Sequence, residues 1–336
     1  MKASPLKILI AYNDPERTAA GSELDFISQE AVVGQAEAVY EAACALGHTV
    51  AYLPVRDLRH DLEQFHAFQP DMLFNFCEGY RGDAHKELAI TGLWELLDVP
   101  YSGNSAFTVG LAQDKIMTKR LFTALDIPTP QFQICRAVPD ATPLRFPVIA
   151  KPGAEDASVG ITATSVVYNM GDLQKLVADL IQRYRQAILL EEFIEGREFN
   201  VSILGNHPPR ILPVSEISFA ALGDDSPHIT SYEAKWLTDH PLYHQTPPIC
   251  PAVIDQDRQE RLRQVALQVY SLLNGRDYGR VDMRLDRQGQ LYVLEYNPNP
   301  DISPDAGFVR SLKAAGIDYK EFIALLIDQT MGRKHD

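Results

Sequence analysis

The first hundred residues alternate between short apolar runs and longer stretches with helical spacing. Three of the runs are typical of buried strands, at 7–12, 49–54 and 71–76. Helical spacing covers 26–46, with Gly47 at a C-terminal cap position, and also 57–68. This alternation predicts an α/β domain with a largely parallel sheet over residues 1–105. Its third strand ends in the polar Cys77-Glu78-Gly79, as expected where the carboxyl end of a strand opens into a site.

The pattern changes after Ser105 and predicts two further units, a central one at 106–195 and a C-terminal one at 196–336. The central unit is predicted to contain helices and strands, in order, at 113–125, 146–151, 161–167, 171–184 and 187–193. The C-terminal unit is predicted to contain strands at 199–205 and 211–217, a helix at 257–273 and a hairpin at 279–296.

A long segment at 221–252 carries many Pro, Asp and His residues and no clear periodicity. Compact domains rarely hold a structureless loop of this length. We therefore expect this segment to be a lid or a substrate loop.

The composition is that of an ordinary folded protein with an excess of acid. Hydrophobic residues make up 46% and charged residues 23%, which excludes disordered, collagen-like and coiled-coil classes. Lys and Arg together number 31 against 45 Asp and Glu, a formal charge of −14. Because this charge repels phosphate backbones and no run of four basic residues interrupts it, nucleic acid is not an expected partner.

The cysteines and the N-terminus indicate a cytoplasmic protein. The four cysteines are scattered, without CxxC or Cys/His spacing for zinc: Cys44, Cys77, Cys135 and Cys250. They are expected to be free thiols in a reducing compartment. The first apolar run, 8–12, is too short for a signal-peptide core or a membrane span, so no membrane association is expected.

The predicted C-terminal hairpin brings acids together. If the turn has an even residue count, such as Gln288-Gly289, Asp282 lies directly opposite Glu295, with Cβ atoms roughly 5 Å apart. Asn297 then projects from the same face. Facing carboxylates repel unless a cation lies between them, and these oxygen ligands suit Mg²⁺ or Mn²⁺ rather than zinc. The alternative is an exposed hairpin with a charged solvent face, and an odd turn would place the two acids on opposite faces.

The hairpin sequence itself is informative. Gly279-Arg280-Val281-Asp282, followed by Leu294-Glu295-Tyr296-Asn297-Pro298-Asn299-Pro300, resembles the metal-binding signature of ATP-grasp ligases, most closely the D-alanine–D-alanine ligase branch. Five other segments resemble that family's motifs in the family's order, at 87–114, 146–152, 154–160, 190–198 and 232–235. The resemblance covers about 7–330 and implies a three-domain ATP-grasp architecture of the α/β (α+β) class, with an N-terminal α/β domain.

The resemblance implies a nucleotide site. The ATP phosphates would contact three lysines, Lys115, Lys151 and Lys235. They would also contact the small-residue loop 154–160, which includes Gly160. Glu191 would accept a hydrogen bond from the adenine amino group, and Glu198 would accept from the ribose hydroxyls.

The resemblance also implies the chemistry. Two divalent ions, Mg²⁺ or Mn²⁺, would be carried by Asp282, Glu295 and Asn297. Arg280 would stabilise the oxyanion that forms when an amine attacks an acyl phosphate. Glu23 and Ser158 would help to link the lid, the phosphate loop and the first substrate. The expected partners are a small-molecule carboxylate and an amine; oligomeric state stays open, and a homodimer is one candidate because relatives are often homodimers.

Several positions depart from the ligase pattern. Glu78-Gly79 stands in place of His-Gly, Ala157-Ser158 in place of a double serine, and Trp236 in place of a tyrosine. The family's Asn-x-x-Pro-Gly and following serine-bearing segment is replaced by 297–306. Acids near that segment would repel an amine that carries its own carboxylate. We therefore expect an amine other than D-alanine, cationic or without a free carboxylate, with Asp301 or Asp305 as counter-ion; in the alternative, Asp301 caps a turn and Asp305 faces solvent.

The sequence thus predicts an ATP-dependent ligase that forms an amide or peptide bond. The first alternative is a true D-alanine–D-alanine ligase of cell-wall synthesis. A non-catalytic ATP-binding regulatory protein is disfavoured by the intact lysines and metal ligands. A dinucleotide-binding oxidoreductase is disfavoured because the first loop, with Ala19-Ala20-Gly21-Ser22, contains no GxGxxG.

Overall fold

The computed structural model describes residues 4–14, 23–154, 161–223, 226–237 and 239–333, without the side chains of 23–30. Its first sheet is parallel, with strands in the order β2-β1-β3: β1 (Lys7–Asn13), β2 (Thr49–Val55) and β3 (Met72–Phe76). Alternate residues of β1 enter different cores, Ile8 and Ile10 in one and Leu9 and Ala11 in the other. Both faces are therefore covered, as in parallel sheets generally, and the prediction of a parallel sheet is confirmed.

Helices α1 (Glu23–Ala45), α2 (Leu58–Phe68) and α3 (Glu87–Leu96) accompany this sheet. Asp57 begins α2 by accepting a hydrogen bond from the backbone N–H of Arg59, and Gln69 ends it in a left-handed conformation. Helix α3 buries Trp94, whose indole N–H donates to Asn75 Oδ1 at 3.0 Å.

The helix predicted at 113–125 is present with slightly narrower bounds, as the second of two consecutive helices, and the first of the two was not predicted. Helix α4 (Ala106–Gln113) ends at Asp114, and α5 (Lys115–Ala124) begins there, with the Asp114 carboxylate accepting from the Met117 backbone N–H. The break has a simple cause, because an Asp side chain that bonds a backbone N–H starts a new helix in preference to continuing the old one.

The second sheet is antiparallel, in the order β4-β7-β5-β6. Its strands are β4 (Phe132–Cys135), β5 (Val148–Pro152), β6 (Val166–Val167) and β7 (Ile188–Glu192), and α6 (Met170–Tyr184) packs on them. The strand predicted at 161–167 is wrong in length: Thr162 caps a single 3₁₀ turn at Ala163–Ser165, so only two residues join the sheet.

The third sheet has the order β11-β10-β8-β12-β13, with β9 also paired to β8. The strands are β8 (Gly196–Leu204), β9 (Arg210–Ile211), β10 (Ser215–Ile217), β11 (Pro248–Ile249), β12 (Tyr278–Asp286) and β13 (Leu291–Asn297). The single strand predicted at 211–217 is two strands, interrupted around Pro213, which has no N–H for a ladder. Helix α9 (Gln256–Leu272) covers one face of the sheet.

Segment 221–252 is more regular than its composition suggests. Its described residues form α7 (Tyr232–Trp236), α8 (Pro241–Gln245) and strand β11.

The end of the chain returns to its beginning. Helices α10 (Gly307–Ala314) and α11 (Tyr319–Gly332) share one core with β1 and α1, through Phe308 and Phe322 among others. The domain boundaries at 105 and 195 stay predictions. Of the helices in the described part of the chain, none is long and apolar enough to cross a membrane.

Candidate active site

A β-bulge brings the two predicted metal-ligand acids opposite each other. The turn of the β12–β13 hairpin has three residues, Arg287 to Gly289, closed by a hydrogen bond from Asp286 N–H to Gln290 O. This is an odd turn, and the even turn that the sequence argument required is wrong. Leu294 is nevertheless extra in β13, so the register shifts by one residue and Asp282 pairs with Glu295. The predicted pairing of Asp282 with Glu295 is confirmed, but it results from a bulge that was not predicted.

Asp282 is buried, and both of its carboxylate oxygens accept hydrogen bonds from neighbouring side chains. Arg280 donates from Nε to Oδ1 at 2.7 Å and from Nη2 to Oδ2 at 2.8 Å. Asn200 Nδ2 donates to Oδ1 at 2.7 Å, and Asn297 Nδ2 donates to Oδ2 at 3.0 Å. Burial raises the pKa of Asp282, and the facing charge of Glu295 adds to this, although the Arg280 guanidinium acts against both.

Glu295 faces a group of cations. The Nζ atom of Lys115 lies 3.7 Å from Glu295 Oε2. Burial alone would raise the pKa of Glu295, but four positive charges outweigh it and hold the pKa below its usual value: Lys115, Lys151, Arg280 and Lys235. Four cations around one carboxylate pair make a site suited to a polyanion.

The donor set fits a magnesium ion shared with a phosphate ligand. Asn297 gives its amide nitrogen to Asp282, so the amide oxygen is the atom that it can offer a cation. Within the described residues, no cluster of three or more His, Cys, Asp or Glu side chains has the arrangement of a metal site. Magnesium is commonly held by one or two carboxylates plus substrate phosphates and water. The facing carboxylates and the amide are therefore adequate for Mg²⁺ that arrives with a nucleotide.

The first turn of α5 positions Lys115. Asp114 caps the helix, and the backbone N–H of Lys115 donates to Gly153 O at 3.2 Å, which joins the helix to the end of β5. The side chain is almost fully buried and extends toward Glu295.

Lys151 and Glu191 form a buried cluster with a third residue. Glu191 is 1% exposed; its Oε2 lies 2.6 Å from Lys151 Nζ, and its Oε1 lies 2.5 Å from Lys119 Nζ. Burial would raise the pKa of Glu191, but the two lysines lower it to about 2. Sequence analysis missed Lys119, although its position four residues after Lys115 places it on the same face of a helix. That Glu191 also accepts from adenine stays a prediction.

Glu198, on β8, lies across the ladder from Arg284 on β12. Arg284 donates to Glu198 Oε2 from Nη2 at 2.6 Å and from Nε at 3.1 Å. Thr230 Oγ1 donates to Oε1 at 2.9 Å. Arg284 was also missed, since a lone arginine in a strand carries no signal until its partners are known.

Lys235 lies on the short helix α7, which begins with Ser231 as its N-cap. Its ammonium group lies 4.9 Å from the centre of the Trp236 ring. Burial lowers the pKa of Lys235 and the charge of Arg280 adds to this, against the opposing carboxylates of Glu295, Asp282 and Asp301. Three of the predicted site residues cannot be placed: Ser158 and Gly160 lie outside the described residues, as does the side chain of Glu23.

One cavity of about 1400 Å³ is lined by most of these groups, and Lys115 and Lys119 lie behind its wall, next to Glu295 and Glu191. It is bordered by the end of β3 at Cys77-Glu78-Gly79, as expected from the sequence, and by Trp236, Arg280 and Asp301. Asp301 Oδ1 accepts from the backbone N–H of Ser303 at 2.8 Å and from its hydroxyl at 2.6 Å. Asp301 therefore caps a turn and Asp305 is exposed, but both border the cavity, so a role as counter-ion to the amine stays a prediction.

Comparisons with known proteins agree with this geometry. A family model described as the D-Ala–D-Ala ligase C-terminus matches residues 110–328. An uncharacterized protein of Sinorhizobium fredii is 36% identical over 258 residues, 76% of this chain and 74% of that protein. A D-alanine–D-alanine ligase of Bordetella avium is 34% identical over 248 residues, covering 71% and 73% of the two chains.

A solved structure shows the same fold over nearly the whole chain. It is a D-alanine–D-alanine ligase from Bacillus anthracis complexed with ATP, with a TM-score of 0.76 and 19% identity, covering 98% of this chain and 99% of the other. The predicted ATP-grasp architecture is confirmed. On the family model and the sequence identities together, the chain belongs to the D-alanine–D-alanine ligase family of ATP-dependent ligases.

Proposed function

We propose that this protein uses ATP and Mg²⁺ to join a small carboxylate to an amine other than D-alanine, through an acyl-phosphate intermediate. The observation that carries the ligase part is the convergence of Lys115, Lys151, Lys235 and Arg280 on the facing acids Asp282 and Glu295. Phosphoryl transfer depends mainly on positioning and on neutralisation of charge, and this arrangement supplies both.

The cationic side chains have separable tasks. Lys115 and Lys151 come from the first turn of α5 and from β5, and they bind phosphate oxygens as point charges. Lys235 approaches from the segment that follows β10. Arg280, held by Asp282, places a guanidinium beside the site where negative charge develops on the acyl group.

Asp282, Glu295 and Asn297 are the residues that would hold the metal. When bound, Mg²⁺ neutralises the β- and γ-phosphate oxygens. Mn²⁺ fits the same oxygen ligands.

The amine specificity rests on Asp301. It occupies the position where the ligase pattern has glycine, it borders the cavity, and its charge raises the pKa of Arg280 and opposes the lowering of the Lys235 pKa. Its two hydrogen bonds to Ser303 both use Oδ1 and hold the carboxylate in place. A fixed negative charge here disfavours an incoming carboxylate and favours a cationic or carboxylate-free amine.

The ligase test is ADP release with Mg²⁺-ATP and candidate acids, with hydroxylamine to trap the acyl phosphate. Asp282→Ala and Glu295→Ala are expected to lower the rate by about 100-fold or more, because the phosphate charge is then unscreened. Asp286→Ala is a matched control on the same hairpin, since Asp286 holds the turn through the backbone N–H groups of Gln288 and Gln290. Unchanged hydroxamate formation in both site variants would contradict the proposal.

The amine test compares D-alanine, L-amino acids and polyamines as acceptors. We expect polyamines or other carboxylate-free amines to be preferred, and Asp301→Gly to reduce that preference. Efficient turnover with D-alanine alone, unaffected by Asp301→Gly, would instead support the second candidate, a true D-alanine–D-alanine ligase like its Bordetella relative.

A further inference from the structure

Arg284 carries a buried positive charge next to the nucleotide motifs. The residue is 3% exposed, and its guanidinium carbon lies 4.9 Å from the centre of the Phe193 ring and 5.6 Å from that of Phe219. Removing a guanidinium from water is costly unless its donors are satisfied. The partners of those donors therefore indicate what the residue holds together.

The donors reach three different segments. Nε and Nη2 bind Glu198 Oε2 on β8, at 3.1 and 2.6 Å. Nη1 donates to the Ile194 carbonyl at 2.7 Å, in the link between β7 and β8. Nη2 also donates to the carbonyl oxygen of His228, in the segment that leads to α7. The Arg284 side chain thus joins β8 and the link between β7 and β8 to the segment that carries Lys235.

Residues 226–237, here called the Lys235 segment, attach to the body of the protein at further points around Arg284. The His228 ring stacks on Phe219 with centroids 5.4 Å apart. Thr230 donates to the second oxygen of Glu198, and the Tyr232 backbone N–H donates to Ile161 O at 3.0 Å. Arg284 and Thr230 therefore share Glu198, and both act on the segment a few residues before Lys235.

We propose that Arg284 is a positioning residue that holds Glu198 and the Lys235 segment in one arrangement and so places Lys235 for the ATP phosphates. This inference rests on the proposed nucleotide site. Without the guanidinium, Glu198 loses its fixed orientation and the His228 carbonyl loses its donor. The segment then loses its attachment to Arg284, while the Thr230 and Tyr232 hydrogen bonds and the stacking of His228 on Phe219 remain, and Lys235 is held less firmly in position.

Trypsin can report the position of the segment directly. Lys235 is the only lysine or arginine between Arg210 and Arg258, so cleavage after Lys235 measures release of this segment and nothing else in that stretch. Cleavage after Arg183, an exposed residue of α6, serves as the internal reference for general unfolding.

We compare Arg284→Met, Arg284→Lys and Thr230→Val with wild type. Arg284→Met is expected to speed cleavage after Lys235. It is also expected to weaken Mg²⁺-ATP binding, measured by calorimetry, by about tenfold or more, because one to two charge-assisted hydrogen bonds are lost. Thr230→Val shifts both in the same direction by less, and Arg284→Lys restores part of each. Arg287→Met is the matched control, because Arg287 is an exposed arginine of the adjacent turn, paired with Glu195 on the surface; it leaves both measurements unchanged.

Each outcome decides the inference. Wild-type cleavage after Lys235 and wild-type ATP affinity in Arg284→Met would overturn it. If Arg284→Met also speeds cleavage after Arg183, the protein has unfolded generally, and Thr230→Val decides instead: unchanged cleavage after Lys235 in that variant overturns the inference. If wild type binds no ATP, the proposed function fails, while the cleavage rates still test whether Arg284 holds the segment.

Discussion

At the scale of single residues, the carboxylate of Glu191 is buried between Lys119 and Lys151. Lys119 has a lowered pKa, because its burial outweighs the attraction of Glu191. Glu191 keeps its charge all the same, with its pKa lowered from 4.5 to about 2. The ionised carboxylate is therefore stabilised by the folded state, and this has a consequence for acid stability.

Since the pKa of Glu191 is lower in the folded than in the unfolded chain, its contribution is complete above pH 4.5 and is lost as the pH falls toward 2. Glu191→Gln is expected to remove this part of the acid sensitivity, on the order of 3 kcal/mol at most. Urea unfolding at pH 5 and pH 3 measures it.

Glu192→Gln is the control for this measurement. Glu192 is the next residue of the same strand, and its partner Arg145 is 84% exposed, so that ion pair is screened by water. Equal pH dependence of stability in the two variants would show that burial between the lysines does not matter.

At the scale of secondary structure, the junction of α4 and α5 determines where Lys115 lies. Asp114→Ala removes the cap of α5 and is expected to cost about 1 kcal/mol of stability. It is also expected to weaken ATP binding, because the first turn of the helix carries Lys115. Thermal unfolding and calorimetry with Mg²⁺-ATP measure the two effects.

Asp318→Ala separates capping from function. Asp318 caps α11 in the same way, by accepting from the Glu321 backbone N–H, but lies outside the cavity. A similar loss of stability with unchanged ATP affinity is expected. If Asp114→Ala behaves like Asp318→Ala in both measurements, the capped turn does not position Lys115.

The β12–β13 hairpin shows which features of an element can be predicted from the local sequence pattern and which cannot. The alternation of 279–296 identified the hairpin, but the acid spacing predicted a facing pair only for an even turn, and the turn is odd. The bulge at Leu294 could not be predicted, because it arises where the side chains of β13 must satisfy both the core, through Val293, and the cavity, through Glu295. The odd turn shifts the register by one residue and the bulge shifts it back, so an argument that assumed an even turn and no bulge reached the same pairing.

At the scale of the whole molecule, Asp277 joins distant parts of the chain. It is fully buried, pairs with Arg333 at the end of α11, and accepts from the backbone N–H of Gly103 at 2.9 Å. Burial raises the pKa of Asp277, although Arg333 and Arg276 oppose it. Gly103 has φ of +88° and lies against Asn299, so a side chain at this position would both strain the backbone and displace the loop after β13.

Asp277→Ala is expected to lower the free energy of unfolding by about 3–5 kcal/mol, since it removes both the partner of Arg333 and the acceptor of the buried Gly103 N–H. Arg333→Met should cost less, and the double variant should cost less than the sum of the two single changes. Urea unfolding of the four proteins measures the coupling. Additive losses would show that the two ends of the chain are not linked through this pair.

The sequence by itself determined the alternating α/β start, the parallel first sheet and the hairpin that carries the two acids. These features depend on residue periodicity and on spacing along the chain, which are local properties. Only the tertiary structure decided the bulge at Leu294, the lysine pair around Glu191, the buried Arg284 and the turn that Asp301 caps. Each of these depends on which side chains, distant in the sequence, share a low-dielectric interior, and that is set by packing of the whole chain rather than by any one segment.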